Sequence, residues 1–260
     1  MNMSQEKPDA LTDAESLEKQ WKSIYALGGV TTIVALCGIL LDVIIGSISG
    51  GDLSALPQTA IERFAQFQAN PLLGLYNLDL LNILNQIIFI PAYFALYAAH
   101  RKVNKPFAAL ALIIFLVGTI IFISTNTALP MLELSKKYAA ASTESQKTLF
   151  AAAGEAMLAR GSHGSLGVFI GFVLPNIAGI VMSFVMLNGK VFSKTNSWLG
   201  IAGSSLLVIY LILVTFTQGK NMATVLAMPG GLMSMAWMIL FTIRLFKLGK
   251  ESDITANANL

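Results

Sequence analysis

Charged residues are scarce in this 260-residue chain, at 12% of the total, whereas soluble globular proteins carry about 25%. They are concentrated in residues 1–22, in segments between long apolar runs, and in the last fifteen residues. The mean hydropathy of +0.68 agrees with this distribution. The composition therefore argues against an ordinary soluble domain and indicates a membrane protein.

Cysteine and histidine are almost absent as well. The single cysteine, Cys37, lies in the first apolar run, so no disulfide can form within the chain and a structural zinc site is not expected. The two histidines, His100 and His163, are predicted at opposite membrane surfaces, where they cannot share a haem or a metal ion. Ser165 has no histidine–acid pair inside the membrane to activate it. We therefore expect no cofactor and no enzymatic activity.

The N-terminal segment lacks the features of a removable signal peptide. Residues 1–22 are polar and acidic, with no basic stretch and no small-residue cleavage site before the first apolar run. The net charge of +3 does not indicate a nucleic-acid partner, because the lysines and arginines lie at predicted helix ends and form no basic face. We expect residues 1–22 to form a cytoplasmic segment.

Six apolar runs are each long enough to cross a hydrocarbon layer about 30 Å thick. The chain is thus predicted to be all-α, a polytopic membrane protein with a six-helix domain at residues 23–248 and a disordered cytoplasmic tail at 249–260. Pro229-Gly230-Gly231 is expected to kink or break the sixth helix. The six predicted helices are 24–48, 74–99, 107–130, 165–188, 198–218 and 223–246.

The lysines and arginines predict the orientation of these helices. Eleven lie on the side of the two termini and six on the other side. Positively charged loops tend to stay in the cytoplasm. The chain is therefore expected in a bacterial inner membrane with both termini cytoplasmic.

Two long connections on the predicted outer side carry helix signals. The first has Pro57 near a helix start and a stop at Asn70-Pro71. In the second, Thr143 and Gln146 have the spacing of a capping box. Two amphipathic helices are predicted, with apolar faces formed by Ile61, Phe64 and Ala65, and by Leu149, Phe150, Ala153 and Met157.

A polar and aromatic stripe runs along the second predicted helix. At 100° per residue its members fall within an arc of about 60°. Such a face is expensive in lipid and is predicted to point into the bundle. The alternative is that these side chains only join helices by hydrogen bonds. The stripe consists of Asp79, Asn82, Gln86, Tyr93, Tyr97 and His100.

A second acid, Asp42 in the first helix, is predicted at a depth similar to that of Asp79. Two carboxylates in a low dielectric attract a proton or a cation. An outward-facing pocket is therefore predicted, although Asp79 could instead lie among lipid headgroups and Asp42 could be structural. The candidate pocket residues are Asp42, Asp79, Asn82, Gln86, Asn126 and Asn176.

Two segments of the chain resemble a bacterial membrane family known as domain of unknown function 4386. The first ends the second helix with Ala95-Leu96-Tyr97 and continues through residues 101–106, RKVNKP. The second comprises Leu187-Asn188-Gly189-Lys190 followed by residues 197–201, SWLGI. The resemblance implies a six-helix integral membrane protein and assigns no activity.

These observations favour a membrane protein that binds a small ligand, a lipid or a cation, as a transporter-like or accessory component. The alternative is a structural or regulatory subunit that packs against a partner membrane protein. Ligand binding requires a cavity that reaches Asp42 and Asp79. Partner binding requires small-residue motifs, such as Gly167-x-x-x-Gly171 and Gly200-x-x-x-Ser204, to remain exposed to lipid.

Overall fold

A computed structural model describes residues 7–48, 56–162, 164–217 and 220–257. In the two terminal helices, side chains are described for residues 20–46, 48 and 225–250. The described residues form helices joined by short connections. The helices are α1 (Lys7–Ile48), α2 (Ala60–Ala69), α3 (Pro71–Tyr76), α4 (Leu80–His100), α5 (Lys105–Thr125), α6 (Ala128–Ala140), α7 (Glu144–Gly161), α8 (Leu166–Gly189), α9 (Lys194–Phe216) and α10 (Lys220–Asn257).

Six helices are long and apolar enough to cross a membrane, as predicted. They are α1, α4, α5, α8, α9 and α10, and they alternate in direction along the chain. Each packs against the next, and α1 packs against α10, so the six helices close into a ring. The exposed outer surface carries many large aliphatic side chains, among them Val30, Val43 and Ile44 of α1. This inverted distribution is typical of a surface that faces lipid.

Close helix contacts in the ring depend on glycine. A Cβ at Gly28 of α1 would overlap with Ala95 of α4, and a Cβ at Gly171 would lie 2.6 Å from Phe122 Cβ of α5. A Cβ at Gly200 would overlap with Ser183 of α8. The small-residue motifs of α8 and α9 therefore pack within this chain: Gly171, Gly200 and Ser204 are buried, and Gly167 is half-buried against Thr125.

The remaining four helices form a cap over one end of the ring. The cap consists of α2, α3, α6 and α7 and has an apolar core of its own. Two of these helices, α2 and α7, were predicted. The predicted start near Pro57 lies three residues before α2, and Thr143 is the N-cap of α7 as predicted, but the Gln146 side chain accepts from Ser142 N–H, so the capping box there is only half formed. Thr59 and Glu62 form a full capping box at α2, and the Thr143 hydroxyl accepts from Gln146 N–H at α7. The buried side chains of the cap core are Ala60, Phe64, Phe67, Leu78, Ala128, Met131 and Leu158.

Several predicted boundaries and faces were wrong. The predicted second and third transmembrane helices included the end of α3 and the start of α6, which belong to the cap. Helix α2 buries Ala60, Arg63, Phe64 and Phe67, whereas Ile61 is 53% exposed. In α10 the helix continues through Pro229, so the expected break is not observed.

The predicted terminal segments are largely helical over the residues that the structure describes. Helix α1 begins at Lys7, so most of the predicted N-terminal segment continues directly into the first membrane span. Helix α10 extends to Asn257, where a disordered tail from residue 249 was expected. Residues 1–6, 258–260 and His163 lie outside the described residues.

Candidate functional site

Helix α4 presents its polar stripe to the interior of the bundle, as the periodicity predicted. Tyr93 and His100 are fully or almost fully buried, while Leu84 on the other face is 49% exposed. Gln86 Nε2 donates to Gly171 O at 3.2 Å, which joins α4 to α8. The α4 stripe thus serves the interhelical contacts of the bundle and also lines its interior.

A cavity of about 200 Å³ lies among the transmembrane helices. Its wall combines amides and hydroxyls with aromatic rings, and none of the described side chains that line it is charged. Tyr93 and Phe115 stack in the wall with ring centroids 4.0 Å apart, and Phe89 meets both rings edge-on. The polar residues of this central cavity are Asn82, Asn85, Gln86, Tyr93, Asn176, Ser204 and Ser234.

Three polar atoms of residues that line the cavity are buried and have no hydrogen-bond partner among the described residues. They are Asn85 Nδ2, Gln86 Oε1 and Ser234 Oγ. The Gln86 amide is held in one orientation because its nitrogen donates to a carbonyl, so its oxygen is the atom left to accept. Leaving one such group unmatched costs about 1–3 kcal/mol. Each of these three atoms is itself buried, so none of them is open to an occupant of the cavity in this structure.

A second cavity of about 270 Å³ lies toward the cap end of α8 and α9. Asp42 is the acidic side chain in its wall, which also contains Tyr210 and Thr215. Four residues line both cavities, so the two are adjacent. The shared residues are Asn82, Phe172, Asn176 and Leu207.

Asp79 lies at the start of α4, where its backbone adopts the left-handed conformation with φ 64°. This conformation is unusual for a residue other than glycine but tolerated by aspartate. Its Oδ1 accepts from Asn82 Nδ2 at 3.1 Å, so Asp79 contacts the cavities through Asn82. Of the two predicted acids, Asp42 therefore lines the second cavity directly, whereas Asp79 is linked to the two cavities through its hydrogen bond with Asn82.

The cap contributes a buried arginine to this region. Arg63 of α2 is 3% exposed, and its Nη1 donates to Gln66 Oε1 at 3.3 Å. Burial lowers the pKa of Arg63, and the negative charge of Asp79 partly offsets that effect. The cap therefore supplies a positive charge near Asp79, which reduces the attraction of this acid for an added cation.

Tyr76 of α3 connects the cap with α1. Its hydroxyl donates to the main-chain oxygen of Asp42 at 3.0 Å. Burial raises the pKa of Tyr76, and the charges of Asp42 and Asp79 add to this effect. Both acids thus act on one tyrosine at the base of the cap.

The two remaining predicted site residues differ in role. Asn176 lines both cavities, and its Nδ2 donates to Phe172 O at 2.9 Å. Asn126 instead donates to Leu78 O at 2.6 Å and accepts from Ala128 N–H at 2.9 Å. These bonds tie the end of α5 to the segment before α4, so Asn126 has a structural role at the junction with the cap.

Comparison with protein families agrees with this architecture. Residues 26–244 match the model of a family described as a domain of unknown function (DUF4386). The chain belongs to the DUF4386 family. The match extends from the first transmembrane helix into the sixth and includes the cap and both cavities. No curated protein and no solved structure matches the chain significantly.

Four polar residues of the central cavity in this DUF4386 protein were not among the predicted site residues, namely Asn85, Tyr93, Ser204 and Ser234. Asn85 is 9% exposed and lies 60° around α4 from Asn82, next to Gly38 of α1. The sequence signal available for Asn85 was an amide in the middle of an apolar span, close to the small residue Gly38. Ser234 follows Met233 in α10 and carries no comparable signal, because single serines are common where transmembrane helices pack.

Proposed function

We propose that this DUF4386 protein binds a small molecule in the central cavity, as a transporter-like or accessory component of the membrane. The carrying observation is the central cavity itself, an interior space of about 200 Å³ whose wall carries seven polar side chains among the transmembrane helices. Polar atoms within a bilayer are costly unless a partner satisfies them. A ligand that supplies the complementary groups removes this cost.

The glycine contacts favour this proposal over the partner-subunit alternative. Glycines 28, 38, 171 and 200 lie against neighbouring helices of the same chain. A partner protein that used these faces would have to displace those intrachain contacts. The cavities remain available without any such rearrangement.

The first test is the recovery of a bound molecule. The protein is purified in lipid nanodiscs, denatured, and its extract analysed by mass spectrometry for small molecules. The Gln86→Leu variant keeps the volume of the side chain but loses its amide. It should retain much less of the bound molecule than the natural sequence does. The matched control is Gln68→Leu, an exposed residue of α2. Equal yield from both variants would contradict binding in the central cavity.

The proposed orientation has both termini in the cytoplasm of a bacterial inner membrane. It is supported by the basic residues at the ring end opposite the cap, such as Arg101, which lies 4.2 Å above the ring of Trp21. A reporter fused after Lys105 should therefore behave as cytoplasmic, and one inserted at Ser142 as external. The opposite pattern would reverse the orientation and place the cap inside the cell.

A further inference from the structure

The second cavity has a chemistry of its own, which differs from that of the central cavity. We propose that it is a binding site for an organic cation, a single ammonium group carried on an apolar body. This site is separate from the one in the proposed function. The proposal uses three properties of the second cavity, namely one carboxylate, amide oxygens left to accept, and an apolar and aromatic wall.

Asp42 gives the second cavity its charge. It is the one acidic side chain among the described residues of the wall, and no described lysine, arginine or histidine lines the cavity. Asp79, the other acid of this region, is instead close enough to Arg63 of the cap for their charges to interact. A carboxylate in the low dielectric of a membrane favours a cation beside it, and one carboxylate balances one positive charge.

Two amides of the wall, Asn82 and Asn176, add hydrogen-bond acceptors. Asn82 Nδ2 donates to Asp79 Oδ1 at 3.1 Å, and Asn176 Nδ2 donates to Phe172 O at 2.9 Å. These bonds fix the orientation of each amide and leave its Oδ1 to accept. Neither Oδ1 accepts a hydrogen bond from the described residues, and neither is among the enclosed atoms that lack a partner, so both remain open to the space that these residues line. An ammonium group donates and does not accept, so it matches these oxygens.

The rest of the wall is apolar and aromatic, which favours an organic cation over a metal ion. Phe169, Phe172 and Tyr210 line the cavity, and aromatic faces attract ammonium groups. No group of three metal-ligating side chains is found in the described part of the chain. A cavity of about 150 Å³ accommodates benzene, so a cavity of about 270 Å³ accommodates a ring with an aminoalkyl substituent. The aliphatic side chains of the wall are Val168, Leu207, Leu211 and Val214.

Three probes of similar size and different charge test this class: benzylammonium, benzyl alcohol and benzoate. Each radiolabelled probe is equilibrated by dialysis with the full-length protein in nanodiscs of zwitterionic lipid. Empty nanodiscs of the same lipid measure the partition of each probe into the bilayer, so the saturable excess is binding to the protein.

Benzylammonium should bind at least about tenfold more tightly than benzyl alcohol, because only the cation gains a charge pair with Asp42. Benzoate should show no saturable binding, because Asp42 repels it. Equal affinities for benzylammonium and benzyl alcohol would overturn the cationic class. The absence of saturable benzylammonium binding would overturn the site itself.

Substitutions at the acid test its role. Asp42→Asn removes the charge and keeps the main-chain oxygen that accepts from Tyr76. It should weaken benzylammonium binding at least about tenfold and leave benzyl alcohol binding unchanged, while Asp42→Glu should keep the preference for the cation. The matched control is Glu133→Gln, which neutralises an exposed acid of α6 and should change neither affinity. If Asp42→Asn does not fold, the ranking of the three probes on the natural protein still decides.

The Gln86→Leu variant distinguishes the two cavities. Gln86 lines the central cavity and is not among the residues that line the second one. This variant should therefore keep the benzylammonium affinity within about twofold. An equal loss of benzylammonium affinity in Gln86→Leu and Asp42→Asn would place the cation in the central cavity and overturn the second site, while the proposed function would stand. Recovery of a bound molecule tests the proposed function separately, so either proposal can fail alone.

Discussion

Gly38 is the point at which helix packing and the candidate site can be perturbed together. A Cβ at Gly38 would overlap with the Asn85 amide, whose Nδ2 is one of the unpartnered atoms of the central cavity. The Gly38→Ala variant must therefore displace either the Asn85 side chain or the α1–α4 contact. Overpacking of this kind costs about 1–3 kcal/mol.

The measured change also contains the difference in helix propensity between glycine and alanine, which favours alanine by up to about 1 kcal/mol. Gly231→Ala measures this contribution separately, because Gly231 is also helical and a Cβ there meets nothing within 4 Å. We expect Gly38→Ala to be less stable than Gly231→Ala by about 1–3 kcal/mol. Equilibrium unfolding in mixed micelles with increasing denaturing detergent provides the comparison.

A double-mutant cycle identifies the cause. Asn85→Ala removes the side chain that Gly38→Ala would strike, so the double variant should recover about 0.5–3 kcal/mol relative to the sum of the single changes. A difference between the two alanine variants below about 0.5 kcal/mol, with no coupling to Asn85, would refute the packing of α1 against α4 described above.

Three further predictions concern the cap and its junction with the bundle. The pKa of Tyr76 is raised from its ordinary 10.0, so the neutral hydroxyl stabilises the folded protein below pH 10.0 and this contribution is lost as the pH rises further. The free energy of unfolding, measured across the alkaline range, should therefore depend less on pH in Tyr76→Phe. Glu155 Oε1 accepts from Ala60 N–H at 2.7 Å, so Glu155→Ala should destabilise the cap by about 0.5–1.5 kcal/mol and speed its proteolysis, whereas Glu155→Gln should cost less. Asn126→Ala should cost about 1–3 kcal/mol without changing the yield of the molecule recovered from the purified protein; a loss of that molecule from a folded variant would return Asn126 to the site.

The sequence predicted the transmembrane helices well because lipid imposes a simple requirement on length and hydrophobicity. The same requirement explains the errors at the cap. Residues such as Met131 are apolar because they form the core of the cap, and hydrophobicity alone cannot distinguish that core from lipid. The boundary between α5 and α6 after Thr125 depends on Asn126. Its amide donates to Leu78 O, 48 residues earlier in the chain.

The helix break expected at Pro229 of α10 is not observed, for a related reason. Gly230 was interpreted as a helix breaker next to Pro229, but a Cβ there would lie 3.1 Å from Leu206 Cβ of α9. The glycine therefore serves a close helix contact, which sequence spacing near a proline does not reveal. Proline itself is tolerated in transmembrane helices where neighbouring helices and local adjustment satisfy the freed backbone group.

The candidate site was predictable where it depended on one helix. The period of α4 places Asn82 and Gln86 toward the interior whatever the neighbours are. The fate of the acids depended instead on contacts from other elements. Asp79 lies close enough to Arg63 of the cap for their charges to interact, and Asp42 lies below Tyr76. In place of the predicted two-acid pocket, the structure has a central cavity without charged lining residues and a second, adjacent cavity lined by Asp42.

The polar composition of α4 also accounts for its position in the ring. A helix with a wide polar arc needs more protein neighbours than a helix with one small-residue face, because each of its amides must avoid lipid. Helix α4 accordingly packs against α1, α5, α8 and α10, two more partners than simple adjacency in the ring requires. Those contacts satisfy Gln86 Nε2 and the Tyr93 hydroxyl through carbonyls of α8. They leave Asn85 Nδ2 and Gln86 Oε1 buried without a partner among the described residues, while both residues line the cavity. The cavity and its unpartnered amides therefore arise together from one amide-rich helix.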